Sequence, residues 1–396
     1  MGSLDLLLIW VFYSGVLAFF LVFIGYPGIL LCCSPFFTEK KRPVKNDGDL
    51  KVSLLVVFRN ADQLLAEKVD NFLSMDYPSD NLELVLISDG SNDGSQGFPV
   101  TAERIQFHHF DSHQGKIHCI NYGVSRCRGD IVVFSDVDAI LEKDAIKKLT
   151  GHFQNPGIGG VCGQRVVREK ITDIASGQLK YIQWDSAIKR LEVRVGQSVT
   201  SHDGKLYAIR KELFSTVPPG VTDDAYISLS VTKQGLGFVF EPDALAYIKM
   251  PSVNARHELN RRKRIVSTSL RGLWLNRKLF NPVRYGFFSA GLFVNKVLRR
   301  MIPFCLIGIF VSSGVLMLSG SLFFSFIWAC QVAGYLFFLL YPLIIVHLKE
   351  DKKYLRAVKK ISALGYFFCV GMAGTFLGVI SFLSGEEISK WDPVKK

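Results

Sequence analysis

The chain lacks the framework of a zinc site. Its eight cysteines include no Cys-x-x-Cys pair, and no zinc-type histidine spacing accompanies them. Cys32, Cys33, Cys305, Cys330 and Cys369 lie in or beside apolar segments, where a thiol behaves as a small hydrophobe. Cys119, Cys127 and Cys162 lie in the more polar middle, whose natural home is a reducing compartment. Net charge is +12, yet no basic patch is interleaved with aromatic residues, which argues against a nucleic-acid partner. Internal repeats and low-complexity tracts are absent. No charged residue interrupts the long apolar segments, which argues against a transport pathway through them.

What is abundant is apolar sequence. The hydrophobic fraction is 49% and mean hydropathy is +0.24. Apolar residues concentrate in four runs: Leu6 to Leu31, Ile302 to about Leu318, Leu322 to about Val346, and Ile361 to Leu383. The first exceeds the roughly 20 residues a helix needs to cross a bilayer. No basic residue precedes it and it is too long for a signal peptide, so it reads as a retained membrane helix. Pro303, Gly308, Pro342, Gly371, Gly374 and Gly378 are tolerated in such helices and permit close packing. Basic residues flank the runs: Lys40, Lys41, Arg42 and Lys45, then Arg299 and Arg300, then Lys349 to Lys360. Under the positive-inside rule this places the middle of the chain on the cytoplasmic face of the cell (plasma or inner) membrane, in a multi-pass protein. From Ser267 to Arg300, mixed Trp, Phe and Arg predict an interfacial segment lying flat on the bilayer. The expected organisation is a membrane helix in 1–35, a domain in 51–250, a basic and interfacial segment in 251–300, about three membrane helices in 301–385 and a tail in 386–396.

The middle alternates short β-branched runs with longer mixed segments, the pattern of an α/β fold. Val52–Phe58, Leu82–Ile87, Ile105–His109 and Ile131–Phe134 predict parallel strands, and Asp62–Met75, Gly115–Cys127 and Asp144–Phe153 predict helices. Carboxylates follow two of these strands: Asp89 after the second, Asp136 and Asp138 after the fourth. In an open α/β sheet the carboxyl ends of the strands border the ligand crevice.

Asp136-Val137-Asp138 is the sharpest of these signals, because two carboxylates around one apolar residue would repel without a compensating cation. Hard oxygen ligands of this kind suit a divalent cation that also grips a diphosphate. Asn60 sits in the turn after the first strand, where a helix N-terminus favours an anion. Asp89-Gly90-Ser91 reads either as a plain turn or as an acceptor for a base N–H. Lys116, beside Gly115 at a helix start, can neutralise phosphate. Thr222-Asp223-Asp224 reads as a capped helix start or as the source of a catalytic base. Arg261-Arg262-Lys263-Arg264 is either a solvated basic face or a clamp for a departing diphosphate.

In order and spacing, these motifs resemble the inverting, membrane-embedded glycosyltransferases of family 2, with the GT-A fold, from Lys51 to about Arg300. The cellulose-synthase-like, hyaluronan-synthase-like and bacterial exopolysaccharide enzymes belong there. The likeness runs through Asp89-Gly90-Ser91, His113-Gln114-Gly115-Lys116, Asp136-Val137-Asp138, the run from Asp203 to Arg210, Thr222-Asp223-Asp224 and Arg261-Arg262-Lys263-Arg264. It implies a GT-A nucleotide-sugar-binding domain joined to transmembrane helices, and roles for single residues. Asp89 would contact uracil, and Lys116 the donor's phosphate or sugar. Asp136 and Asp138 would hold the nucleotide and a Mg²⁺ or Mn²⁺ ion. Asp224, with Asp223 the next candidate, would be the general base. Asn60, Arg261 and Arg264 would complete the donor site, and Arg264 with the metal would stabilise the leaving diphosphate.

Two departures matter. Processive synthases carry Gln-x-x-Arg-Trp where this chain ends in Arg264-Ile265, so the aromatic platform for an acceptor sugar is missing. The turn after the first strand reads Asn60-Ala61 in place of Asn-Glu. The expected activity is transfer from a UDP-sugar to a lipid-linked or membrane-proximal glycan acceptor, in contact with membrane lipids, during extracellular polysaccharide or glycolipid assembly. The alternative is a processive polysaccharide synthase; with four spans, export would need partner proteins. A catalytically dead membrane scaffold is the third reading, opposed by the intact Asp138 and Asp224.

Overall fold

The computed structural model describes residues 3–37, 48–100, 102–167, 173–248, 255–348 and 352–386. Lys40, Lys41, Arg42, Lys45 and Lys349, with the tail beyond Glu386, lie outside the described residues. The chain opens on α1 (Ser3–Phe20), which runs through a π-turn into α2 (Tyr26–Cys33). Strand β1 (Val52–Phe58) is buried along its whole length. It leads to α3 (Asp62–Leu73), then β2 (Leu82–Asp89), β3 (Ile105–Phe110), α4 (Lys116–Arg126) and β4 (Ile131–Asp136). These four strands are parallel, in the order β3-β2-β1-β4. Their β-branched residues fill both faces, as expected of a sheet covered on two sides.

The second half of the sheet is mixed. It contains β5 (Ile140–Leu141), α5 (Ala145–Gly151), β6 (Ile158–Val167), α6 (Asp173–Gly196), β7 (Leu206–Arg210), α7 (Asp223–Lys233) and β8 (Gly237–Ile248). The full order is β3-β2-β1-β4-β7-β6-β8-β5. Strand β7 is antiparallel to both β4 and β6, while β6 and β8 run parallel. The carboxyl end of β4 therefore meets the amino end of β7, bringing Asp136 beside the Gly204-Lys205 turn.

Beyond the sheet lie α8 (Ala255–Leu275), α9 (Pro282–Leu292), α10 (Arg299–Leu318), α11 (Leu322–Leu339) and α12 (Lys353–Leu383). Among the described residues, four stretches are long and apolar enough to cross a membrane: Ser3–Phe36, Pro282–Leu318, Leu322–Leu339 and Tyr354–Leu383. The expected interfacial segment is thus divided: Ser267 to Leu275 is the end of α8, while residues from Pro282 onward join the second apolar stretch. Asn281 caps that stretch by accepting from the backbone N–H of Val283 and Arg284.

Helices α1, α10 and α11 pack together. Phe12 and Phe324 stack edge to face at 5.3 Å, and Gly15 lets α1 approach Ile309 and the Cys305 carbonyl. At one end of this group the Ser319 hydroxyl donates to Asp5 at 3.5 Å. Helix α12 contacts the other end. Its Ser362 hydroxyl donates to the Phe337 carbonyl, and Tyr366 pairs with Tyr341. Further along, Gly374 and Gly378 lie so close to α8 that a Cβ would fall 3.0 Å from the Leu259 carbonyl oxygen and 2.7 Å from that of Lys263. Glu386, just past the helix, pairs with Lys263 at 2.9 Å.

Candidate active site

The site forms where the carboxyl ends of β1, β2 and β4 meet the start of α7. A small pocket there is lined by Lys116, Asp136, Gly204, Tyr207 and Asp223 over an apolar floor including Leu55 and Phe134.

Asp136 and Asp138 are held by two lysines. Lys205 Nζ lies 2.8 Å from Asp136 Oδ2 and 2.9 Å from Asp138 Oδ1. Lys116 Nζ lies 3.2 Å from Asp136 Oδ1 and 3.0 Å from Asp223 Oδ2. Burial would lower the pKa of each ammonium, but the facing carboxylates outweigh it and hold both above the ordinary lysine value. Among the described residues no group of three or more His, Cys, Asp and Glu side chains could hold a metal ion. The pair nonetheless suits a hard divalent cation: both carboxylates converge on one ammonium-sized position, and both remain about a quarter exposed.

Thr222 does not cap α7 through its side chain; its hydroxyl pairs with Thr268 of α8 at 2.7 Å. Asp223 turns to Lys116. Asp224 accepts from the Ala225 N–H at 2.7 Å and packs on Gly204, where a Cβ would fall 2.7 Å from Asp224 Oδ2. Desolvation, with the Asp223 charge second, pushes the Asp224 carboxyl up to about 7. Two adjacent acids thus have separate environments: one is ion-paired, the other is poised to take a proton near neutrality.

The remaining expected residues lie around this centre. Asp89 is fully buried, and its carboxylate accepts from the backbone N–H of Gln114 (2.7 Å) and Gly115 (3.1 Å), with His113 Nδ1 at 2.8 Å. In this geometry Asp89 shapes the loop that presents Lys116. Asn60 adopts a left-handed φ of 51°, which asparagine tolerates. It ties the β1 turn to the β2 turn, donating from its N–H to Ser91 Oγ and accepting from the Asn92 N–H. Arg261 and Arg262 both grip Glu258, at 2.8 Å and 3.2 Å. Burial would raise the Glu258 carboxyl, but the two guanidiniums hold it below the usual range. Arg264 of the basic motif feels the charge of Asp223: desolvation lowers its pKa, while attraction to Asp223 opposes that shift.

Two lysines had no role assigned from sequence. Lys205 stands inside a quoted motif, yet its bridge across Asp136 and Asp138 depends on the β4–β7 pairing. Lys68 is fully buried in α3, on the face of Leu65 and Phe72, where the charge of a lysine suggests a solvated position.

Comparison with known proteins bears on the family and the fold. Residues 53–217 match the family described as Glycosyl transferase family 2. An N-acetylglucosaminyltransferase of Azorhizobium caulinodans is 28% identical over 126 residues, 30% of this chain and 32% of the relative. A probable glycosyltransferase of Bacillus subtilis, YdaM, is 22% identical over 218 residues, 51% of each chain. The chain spans about a third to a half of the length of these curated relatives. Among solved structures, the mannosyltransferase PcManGT from Pyrobaculum calidifontis, in complex with GDP-Man and Mn²⁺, superposes with a TM-score of 0.65. That match is 20% identical and covers 95% of this chain and 100% of the other, a likeness of fold. Residues 53–217 therefore match a glycosyl transferase family 2 domain and lie in a mixed α/β sheet of GT-A-like fold, and four helices among the described residues are long and apolar enough to cross a membrane.

Proposed function

We propose that this protein is a membrane-embedded inverting glycosyltransferase that moves a sugar from a UDP-sugar to a lipid-linked or membrane-proximal acceptor. The observation that carries this reading is the placement of Asp224, packed on Gly204 beside the pocket that holds Lys116 and Asp136, where desolvation pushes its carboxyl up to about 7. A base with such a pKa is matched to its task at neutral pH. Asp224 takes the proton from an acceptor hydroxyl, whose oxygen forms a bond to the anomeric carbon. The bond from that carbon to the diphosphate oxygen breaks, and the nucleoside diphosphate leaves with the electron pair. A single displacement inverts the centre, so an α-linked donor gives a β-linkage.

Asp136 and Asp138 would hold a Mg²⁺ or Mn²⁺ ion, which when bound neutralises the diphosphate. Lys116, placed between Asp136 and Asp223, contributes positive charge beside the leaving group, and Arg264 approaches from α8. The proposed setting is assembly of an extracellular polysaccharide or glycolipid, with the catalytic domain on the cytoplasmic face of the cell membrane. Helices α1, α10 and α11 then cross the bilayer. Helix α12 touches the domain-side end of that group, the flank of α8 and, through Glu386, Lys263. On this reading α12 lies along the cytoplasmic interface, and three of the four long apolar stretches cross the bilayer.

The test is a transfer assay on purified protein with a panel of UDP- and GDP-sugars and membrane lipids. Asp224→Asn should keep nucleotide affinity and lose about 10²–10⁴-fold in transfer rate. Near wild-type turnover in that variant would refute the assignment.

A further inference from the structure

Helix α3 is amphipathic, and its buried stripe consists of Leu65, Lys68 and Phe72. A lysine in that stripe is out of place on hydrophobic grounds. Its side chain is fully buried, and taking an ammonium out of water is costly unless its donors are well satisfied. Lys68 Nζ donates to Ser135 Oγ at 2.9 Å and to the Ala139 carbonyl at 2.6 Å. These two residues bracket Asp136-Val137-Asp138. One helical turn on, Asn71 pairs with both backbone groups of Leu141 at 2.8 Å, so α3 grips the whole segment from behind. Ser135 carries the contact further, since its hydroxyl lies 3.1 Å from the backbone carbonyl of Lys205. Through Ser135, Lys68 thus also meets the backbone of the residue whose ammonium bridges both carboxylates on the open side.

We infer that Lys68 is a positioning residue for the cation–diphosphate site: its buried ammonium fixes the Asp136–Asp138 turn, and its charge offsets the repulsion between the two acids. Neutral residues could fill the same space, but none would supply two strong donors together with a positive charge behind a pair of carboxylates. The inference rests on the proposal that Asp136 and Asp138 hold a divalent cation. Groups that orient metal ligands from outside typically contribute about 10–100-fold to metal affinity.

The experiment is Mn²⁺ binding by the full chain in detergent, with UDP or GDP present, measured by electron paramagnetic resonance and calorimetry. Three proteins are compared: wild type, Lys68→Met and Leu65→Ala. Leu65 is a fully buried neighbour on the same helix, and Leu65→Ala controls for general loosening of α3. The expected result is Mn²⁺ affinity weakened about 10–100-fold in Lys68→Met and nearly unchanged in Leu65→Ala. In transfer assays Lys68→Met should then raise the Mn²⁺ concentration needed for half-maximal rate more than it lowers the rate at saturating Mn²⁺. Wild-type affinity in a folded Lys68→Met protein would overturn the inference, as would equal losses in both variants. Should Lys68→Met fail to fold, Ser135→Ala replaces it: a weakened Mn²⁺ affinity supports the inference, and an unchanged one overturns it. No Mn²⁺–nucleotide binding by the wild type would overturn the underlying cation site, and this inference with it.

Discussion

Asp223 and Asp224 are neighbours in sequence with different electrostatic surroundings. Asp223 is paired with Lys116, whereas the Asp224 carboxyl is desolvated beside Gly204 and faces the Asp223 charge. Its raised pKa fixes the direction of the pH dependence. The base must be deprotonated, so the transfer rate should climb as pH rises through about 7 and fall below it. A pH–rate profile checks this, and Asp223→Asn should move the acid limb to lower pH by removing the second cause of the shift. Asp138→Asn should weaken cation-dependent nucleotide binding, read by calorimetry with and without chelator. Unchanged affinity there would exclude Asp138 as a ligand.

The elements show what sequence can and cannot reveal. Strands β1 to β4 are legible because each is an apolar, β-branched run ending in a turn or a carboxylate, and their observed limits fall within about two residues of expectation. The ordered motifs also located the acids correctly at the strand ends. Strands β6, β7 and β8 belong to a mixed sheet whose pairing is non-local, and local periodicity does not encode it. Lys205 was illegible for the same reason, and Lys68 because a lysine in an amphipathic helix reads as solvated until its partners are seen. The hydrogen-bonding capacity of Asn60 and Arg261 goes largely to Ser91, Asn92 and Glu258, which the sequence does not reveal. The α8–α12 crossing depends on glycine. Gly378→Leu would drive a side chain into Lys263 and Val266, and overpacking of this kind costs about 1–3 kcal/mol. Thermal melts in detergent should show a lower Tm for that variant, with a smaller effect from the same change at Gly334, where a Cβ meets nothing within 4 Å.

For the whole molecule, the contacts at the ends of the helices underlie the proposed topology. Asp5 and Ser319 share one end of the α1–α10–α11 group, while Glu386 and Lys263 meet on the domain side. Cysteines introduced at Ser3 and Ser321 should therefore label from outside the cell, and those at Lys352 and Ser384 only from the cytoplasmic side. Outside labelling at Ser384 would make α12 a fourth crossing. Ile265 stands where processive relatives carry a tryptophan, so the chain alone should add one or a few sugars, and size separation of products from reconstituted protein decides this. The central claim is that Asp224 drives cation-assisted transfer from a nucleotide sugar. Its most direct test is nucleoside diphosphate release by purified protein across a panel of nucleotide sugars with lipid acceptor. Release is expected with at least one donor, abolished by chelator and reduced at least about 100-fold in Asp224→Asn; no release with any donor, or release indifferent to Asp224, would contradict that role.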